Sequence, residues 1–176
     1  MLSMAAVTST LGQATSSVEY QLKAAFLLNF AKFVEWPSGT FQNESAPIIL
    51  CVFRQDPFGR ALDEIIRNKT IDNREVQARR INELPDLKSC QIVFVSSVED
   101  KHLPEILSSL KGVSGLVAGE GEDFAERGGG IQFFVEDNKL RFAINVDAIQ
   151  RARLTVSSKL LALAKIIHDQ GHSKGK

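Results

Sequence analysis

Two short runs, Pro47-Ile-Ile-Leu-Cys-Val-Phe53 and Cys90-Gln-Ile-Val-Phe-Val-Ser96, are apolar at nearly every position. Side chains on a strand point alternately to the two faces of its sheet, so a strand apolar at both parities is covered on both sides. Strands of that kind need helices above and below them, which restricts the chain to an α/β architecture. The segments around the two runs agree. After a turn at Asp56-Pro57-Phe58-Gly59, the spacing of Ala61, Leu62, Ile65 and Ile66 predicts a helix, and residues 75–81 alternate as a strand. Leu103, Ile106, Leu107 and Leu110 predict a further helix, and residues 113–118 a strand. The order strand, helix, strand, strand, helix, strand predicts a mostly parallel central sheet with helices on both faces.

The end of the chain departs from that pattern. Residues 131–135 and 140–146 are apolar runs joined by Glu136-Asp137-Asn138-Lys139, a polar turn that predicts a hairpin and hence an antiparallel edge. Asp147 is placed to cap a short helical turn over 148–153. Leu160, Leu161, Leu163, Ala164, Ile166 and Ile167 predict a longer helix, with Ser157 or Thr155 as its cap. At the other end, Leu22, Phe26, Phe30 and Phe33 predict an extra N-terminal helix over 18–34. The only tryptophan, Trp36, and Pro37 close it, because proline cannot continue a helix. Standing outside the strand–helix alternation, this helix is a candidate for packing against a partner.

A chain of 176 residues without internal repeats suits one domain. We expect residues 1–14 to be a signal-peptide remnant or a disordered tail, since they are small and apolar but lack a basic start. The domain then spans 15–170, with a polar tail at 171–176. Twenty-one basic residues balance 21 acidic ones, so charge gives no argument for nucleic acid or an anionic membrane. Cys51 and Cys90 are the only cysteines, to be read as a disulfide in an exported protein or as two buried thiols in a cytosolic one.

No catalytic constellation emerges. Gly119-Glu120-Gly121 lacks the third glycine of a dinucleotide fingerprint and the lysine of a phosphate loop, and acidic neighbours repel phosphate. These glycines, with Gly128-Gly129-Gly130, read as turns that need positive φ. His168 and His172 lack the glutamate of a zinc-protease helix, and the serines lack a nucleophile elbow. We expect no metal site and no cofactor. Ligands of open parallel sheets collect beyond the carboxyl ends of the strands. Arg54, Asp56, Ser96 and Ser97 fall there, as candidates to hold a small anionic or zwitterionic ligand. In the alternative reading Asp56 caps the next helix and the serines start another.

Several segments taken together resemble the YfiR family. They are residues 30–37, the Asp56–Gly59 turn, 90–97, the glycine triplet before Ile131, Leu140-Arg-Phe-Ala-Ile-Asn-Val146, and Leu154-Thr-Val-Ser-Ser-Lys-Leu-Leu-Ala-Leu-Ala164. The resemblance runs from about residue 20 to 167. It implies a small periplasmic α/β protein that regulates rather than catalyses. In such systems the protein represses an inner-membrane diguanylate cyclase, lowering cyclic di-GMP and biofilm formation, and an OmpA-like outer-membrane lipoprotein draws it away. Family members tend to form homodimers. The resemblance also implies that Cys51 and Cys90 form a disulfide. The second cysteine pair of some relatives is replaced here, in the region of Ala125 and Gln132.

Two functions follow as expectations. The first is a signalling repressor that docks through an apolar patch of Glu35, Trp36, Pro37 and Phe58. The second is a small-ligand binding module built on Arg54 and Ser96. An enzyme on the same scaffold lacks its acid–base groups.

Overall fold

The computed structural model describes residues 10–169, with side-chain surroundings from Ser17 onward. Residues 1–9 and 170–176, where most of the expected leader and the polar tail fall, lie outside the described residues. Strands β2 (Ile48–Phe53), β4 (Arg74–Ile81), β5 (Ile92–Val95), β6 (Leu116–Gly119) and β7 (Ile131–Glu136) run parallel in the order β4-β2-β5-β6-β7. The hairpin forms as expected: β8 (Lys139–Asn145) pairs antiparallel to β7, with Phe133 opposite Phe142. Beyond it lies β10 (Lys165–Ile167), and beyond β4 the two-residue β3 (Thr70–Ile71). A separate pair joins β1 (Val34–Glu35) to β9 (Thr155–Val156).

The doubly apolar runs behave as period-2 strands should. Ile48, Leu50 and Val52 of β2, with Ile92 and Phe94 of β5, face α1 (Thr10–Phe33) and α2 (Ala61–Ile66). Ile49, Cys51 and Phe53, with Val93 and Val95, face α3 (Leu103–Ser109) and a 3₁₀ helix over Leu84–Ser89. Cys51 and Cys90 are bonded, their Cα atoms 5.9 Å apart, which staples β2 to the entry of β5 at the centre of the sheet.

Helix α1 is not a free arm. It buries Ala24, Leu27, Phe30 and Ala31 on the sheet, and the Phe30 ring lies 5.7 Å from Phe133 and 5.1 Å from Phe142. Each such large side chain contributes about 1.5–3 kcal/mol on burial, so α1 is the main cover of that face. It also begins at Thr10, eight residues before the apolar periodicity does.

Three local expectations are corrected. The helix predicted to run to Ile167 is α5 (Ser158–Leu163); Ala164 turns extended at ψ 150°, and β10 pairs parallel with β8. The open edge of β8 offers unpaired N–H and C=O groups, and an extended chain satisfies them where another helical turn would not. Its N-cap is Ser157, whose Oγ accepts from the Leu160 amide at 3.3 Å, while Thr155 sits in β9. The short helix α4 (Val146–Arg151) is capped by buried Asn145, which accepts from the Ala148 amide at 3.0 Å, and not by Asp147. The Asp147 carboxylate instead accepts from the Asp169 amide, which holds it below its ordinary range. Of the glycines read as positive-φ turns, only Gly128 (φ +105°) is one. Gly119 and Gly129 flank the buried Phe124 ring, where a Cβ would come within 2.3 Å and 2.2 Å of it.

Candidate functional site

The chain leaves β2 for β4 on one side and returns to β5 on the other, so the carboxyl ends of β2 and β5 form the switch point of the sheet. Arg54, Asp56, Ser96 and Ser97 all lie there, but they turn in different directions. Arg54 has a left-handed backbone (φ 54°) that folds its guanidinium over the Phe53 ring. Its Nη1 donates to His102 Nε2 at 3.0 Å. Arginine can only donate, so the His102 proton sits on Nδ1 and is given to Glu105 at 3.1 Å. Asp56 accepts from the Phe58 amide at 2.8 Å and from Arg80 Nε at 2.9 Å, so it ties the turn before α2 and does not cap that helix, whose N-cap is Arg60 without a side-chain bond. Arg80 also grips Asp63 with both terminal nitrogens and holds that carboxyl below its ordinary range. Buried Ser96 donates to Gln55 at 3.1 Å.

The Ser97 amide leads to a cluster that the residue patterns missed. Ser97 N–H donates to Glu120 Oε1 at 3.1 Å, and the Tyr20 hydroxyl donates to the same oxygen at 2.9 Å. Lys23 lies between Glu120 and Glu19, 2.5 Å from each, and its ammonium sits 4.5 Å from the Tyr20 ring centre. The Lys23 and Glu120 side chains are only 5% and 7% exposed, so this hydrogen-bonded pair is desolvated. It pins α1 over the end of β6. The signal was present: Lys23 stands at i−4 and i−7 to Leu27 and Phe30, on the buried stripe of α1, where a lysine demands a partner.

Burial, with Glu120 beside it, holds the Tyr20 phenol well above its ordinary value of 10.0. Tyr20 is the only tyrosine, so a near-ultraviolet phenolate titration reads it alone. We expect no phenolate in the native chain at pH values where the urea-unfolded chain is already half ionised. The raised pKa makes its contribution to stability complete below about pH 10 and lost as the pH climbs from there towards the folded value. A native titration midpoint near 10 contradicts the assignment.

The other candidate surface follows α1. Trp36 is half-buried, its ring edge-on to Phe41 at 6.2 Å, and its indole Nε1 is buried without a hydrogen-bond partner. Arg74 lies over the opposite partner, its guanidinium 3.8 Å from the Phe41 ring centre, and donates to the carbonyls of Asn43 and Ala46. Glu35, Trp36 and Pro37 line an open cleft of about 790 Å³ together with Lys32, Phe41 and Arg74. Phe58 is not part of this surface. It is 5% exposed, in the core between Phe94 (4.7 Å) and Tyr20 (5.5 Å). Tyr20 and Trp36 are separated by most of α1, roughly 20 Å of helix. Among the described residues no group of three His, Cys, Asp or Glu is placed to hold a metal ion, and no helix is long and apolar enough to cross a membrane.

Among solved structures, the ABC domain in complex with L-Trp from Streptococcus pneumonia is similar with a TM-score of 0.50 and 11% identity, over 68% of this chain and 56% of that one. A conserved domain protein from Vibrio cholerae is similar with a TM-score of 0.53 and 10% identity, over 84% of this chain and 59% of that one. This chain thus spans a little over half the length of each, and at these identities the likeness is one of fold. The YfiR/HmsC-like family model matches residues 20–165, from Tyr20 in α1 to the first residue of β10. That match takes in both faces of the sheet, the disulfide and the Trp36 surface, and by it the chain belongs to the YfiR/HmsC-like family.

Proposed function

We propose that the chain binds the periplasmic part of a membrane-bound diguanylate cyclase and represses it, so lowering cyclic di-GMP output and biofilm formation. The observation that carries the docking surface is Trp36, an indole with an unpaired, buried N–H at the wall of an open cleft. A buried donor without a partner is costly, and a carbonyl or carboxylate from a docked segment satisfies it. Tryptophan in such a position is a frequent centre of binding energy. Repression then follows from differential affinity: the chain biases the cyclase by the difference in its binding free energy for the inactive and active sensor states. Removal by an OmpA-like lipoprotein and assembly as a homodimer belong to the same reading, on the strength of the family resemblance.

Titration of the periplasmic sensor segment against wild-type chain and two variants tests the surface. Trp36→Ala is expected to weaken binding roughly tenfold or more. Trp36→Phe keeps the ring packing on Phe41 while removing the N–H, so it should fold as wild type and still bind more weakly. Unchanged affinity in both variants removes Trp36 from the interface.

A further inference from the structure

The polar groups at the carboxyl ends of the strands are engaged with one another, whereas an unengaged one lies at the opposite end of the sheet. Ser114, just before β6, is 8% exposed and its buried hydroxyl has no hydrogen-bond partner. It lines a recess of about 260 Å³ whose other walls include the 37–40 loop, Gln91, Lys88 and Arg153. Gly112 and Val113 also wall a second, larger cleft of about 590 Å³ between α3 and α4, so the two spaces are neighbours that share this segment as a wall. Leu110, Leu116, Ile149 and Leu154 make that cleft apolar, and its size is that of a small-molecule site.

The charges have one sign. Lys88 and Arg153 line the recess, Lys111, Arg127 and Arg151 line the cleft, and no aspartate or glutamate lines either. Five cationic side chains therefore line the two spaces in a chain of zero formal net charge. Arg127 is paired with Asp100 and Arg151 with Asp169. Lys88, Lys111 and Arg153 are in no ion pair among the described residues. Arg153 lines the recess and donates to the carbonyl of Gly112, a residue common to both linings, at 3.3 Å.

We propose that this end of the sheet binds a small amphipathic anion, with its charged head at Ser114, Lys88 and Arg153 and its apolar body in the cleft between α3 and α4. The head takes the unpaired Ser114 hydroxyl as a donor and neutralises two free cations; the body lies along the apolar lining of the cleft. The site stands independently of the repressor reading, because it is measured on the isolated chain. Its recess is nevertheless walled by the loop that directly follows Trp36, so an occupant touches the segment proposed to meet the cyclase.

Calorimetric titration of the full chain with sodium octanoate, 1-octanol and inorganic phosphate tests it. Octanoate is expected to saturate one site, with the alcohol and phosphate each at least about tenfold weaker, since each lacks one half of the ligand. Ser114→Ala removes a hydroxyl that bonds to nothing in the unoccupied protein. It should therefore leave Tm unchanged or higher while weakening octanoate about tenfold. The exposed pair Lys88→Glu with Arg153→Glu should weaken octanoate at least as much. The proposal is overturned by an absence of saturable octanoate binding, by 1-octanol binding as tightly, or by octanoate affinity unchanged in both variants. A fall in Tm on Ser114→Ala also overturns it, by showing that the hydroxyl serves the fold.

Discussion

Replacing both Cys51 and Cys90 with alanine is expected to destabilise the protein by about 3–4 kcal/mol, lowering Tm by roughly 10 °C. The bond closes a loop of 39 residues, and the chain-entropy model assigns most of its effect to the restriction it places on the unfolded chain. The location adds to this. Both residues are essentially unexposed, in the core between β2, β5 and α3, so alanine also removes packed sulfur from that layer. Thermal unfolding of the oxidised chain, the reduced chain and the double variant measures it. The oxidised chain should melt highest, the reduced chain lower, and the double variant, which also lacks the packed sulfurs, lowest. Equal melting of oxidised and reduced chain contradicts the account.

Glu120→Ala should be the most damaging single substitution outside the core, at about 3–5 kcal/mol. It leaves the Lys23 ammonium, 5% exposed, with only the partly exposed Glu19 carboxylate, and strips Tyr20 and the Ser97 amide of their acceptor. The combination Lys23→Met with Glu120→Gln removes the charges together and keeps an acceptor for Tyr20 and Ser97. It should therefore cost clearly less than Glu120→Ala alone. Denaturant unfolding of the three chains decides the matter. If the double variant is as unstable as Glu120→Ala, the cluster stabilises α1 by something other than its charges.

The layer plan was legible because the strands of β2 and β5 are apolar at both parities, and no solvent-facing arrangement accepts that. The hairpin was legible from its turn, and α1 from its aromatic spacing. What α1 does was not. Its place outside the strand–helix alternation suggested a helix available to a partner, whereas its aromatic face is taken up within the chain: Phe26 and Phe30 pack on Phe133 and Phe142, residues more than a hundred positions away. The end of α5 failed for a different reason: Ile166 and Ile167 fit a helical stripe or an edge strand equally, and the open edge of β8 chose the strand. Phe58 was misplaced because its turn reads as surface. The Asp56 carboxylate caps that turn, which leaves the ring directed into the core. The recess brings positions 88 and 153 beside the unpaired Ser114 hydroxyl, and the neighbouring cleft gathers 111, 127 and 151; no local pattern announces either gathering.

The central claim, that this member of the YfiR/HmsC-like family represses a membrane cyclase by docking through the Trp36 surface, is tested most directly by turnover. A diguanylate cyclase is reconstituted in proteoliposomes with its periplasmic part outward, and cyclic di-GMP formed within is measured as the chain is added outside. The account predicts a saturable fall in product with wild-type chain, shifted to higher concentration with Trp36→Phe. Turnover that is unaffected by the wild-type chain, or lowered equally by both, contradicts it.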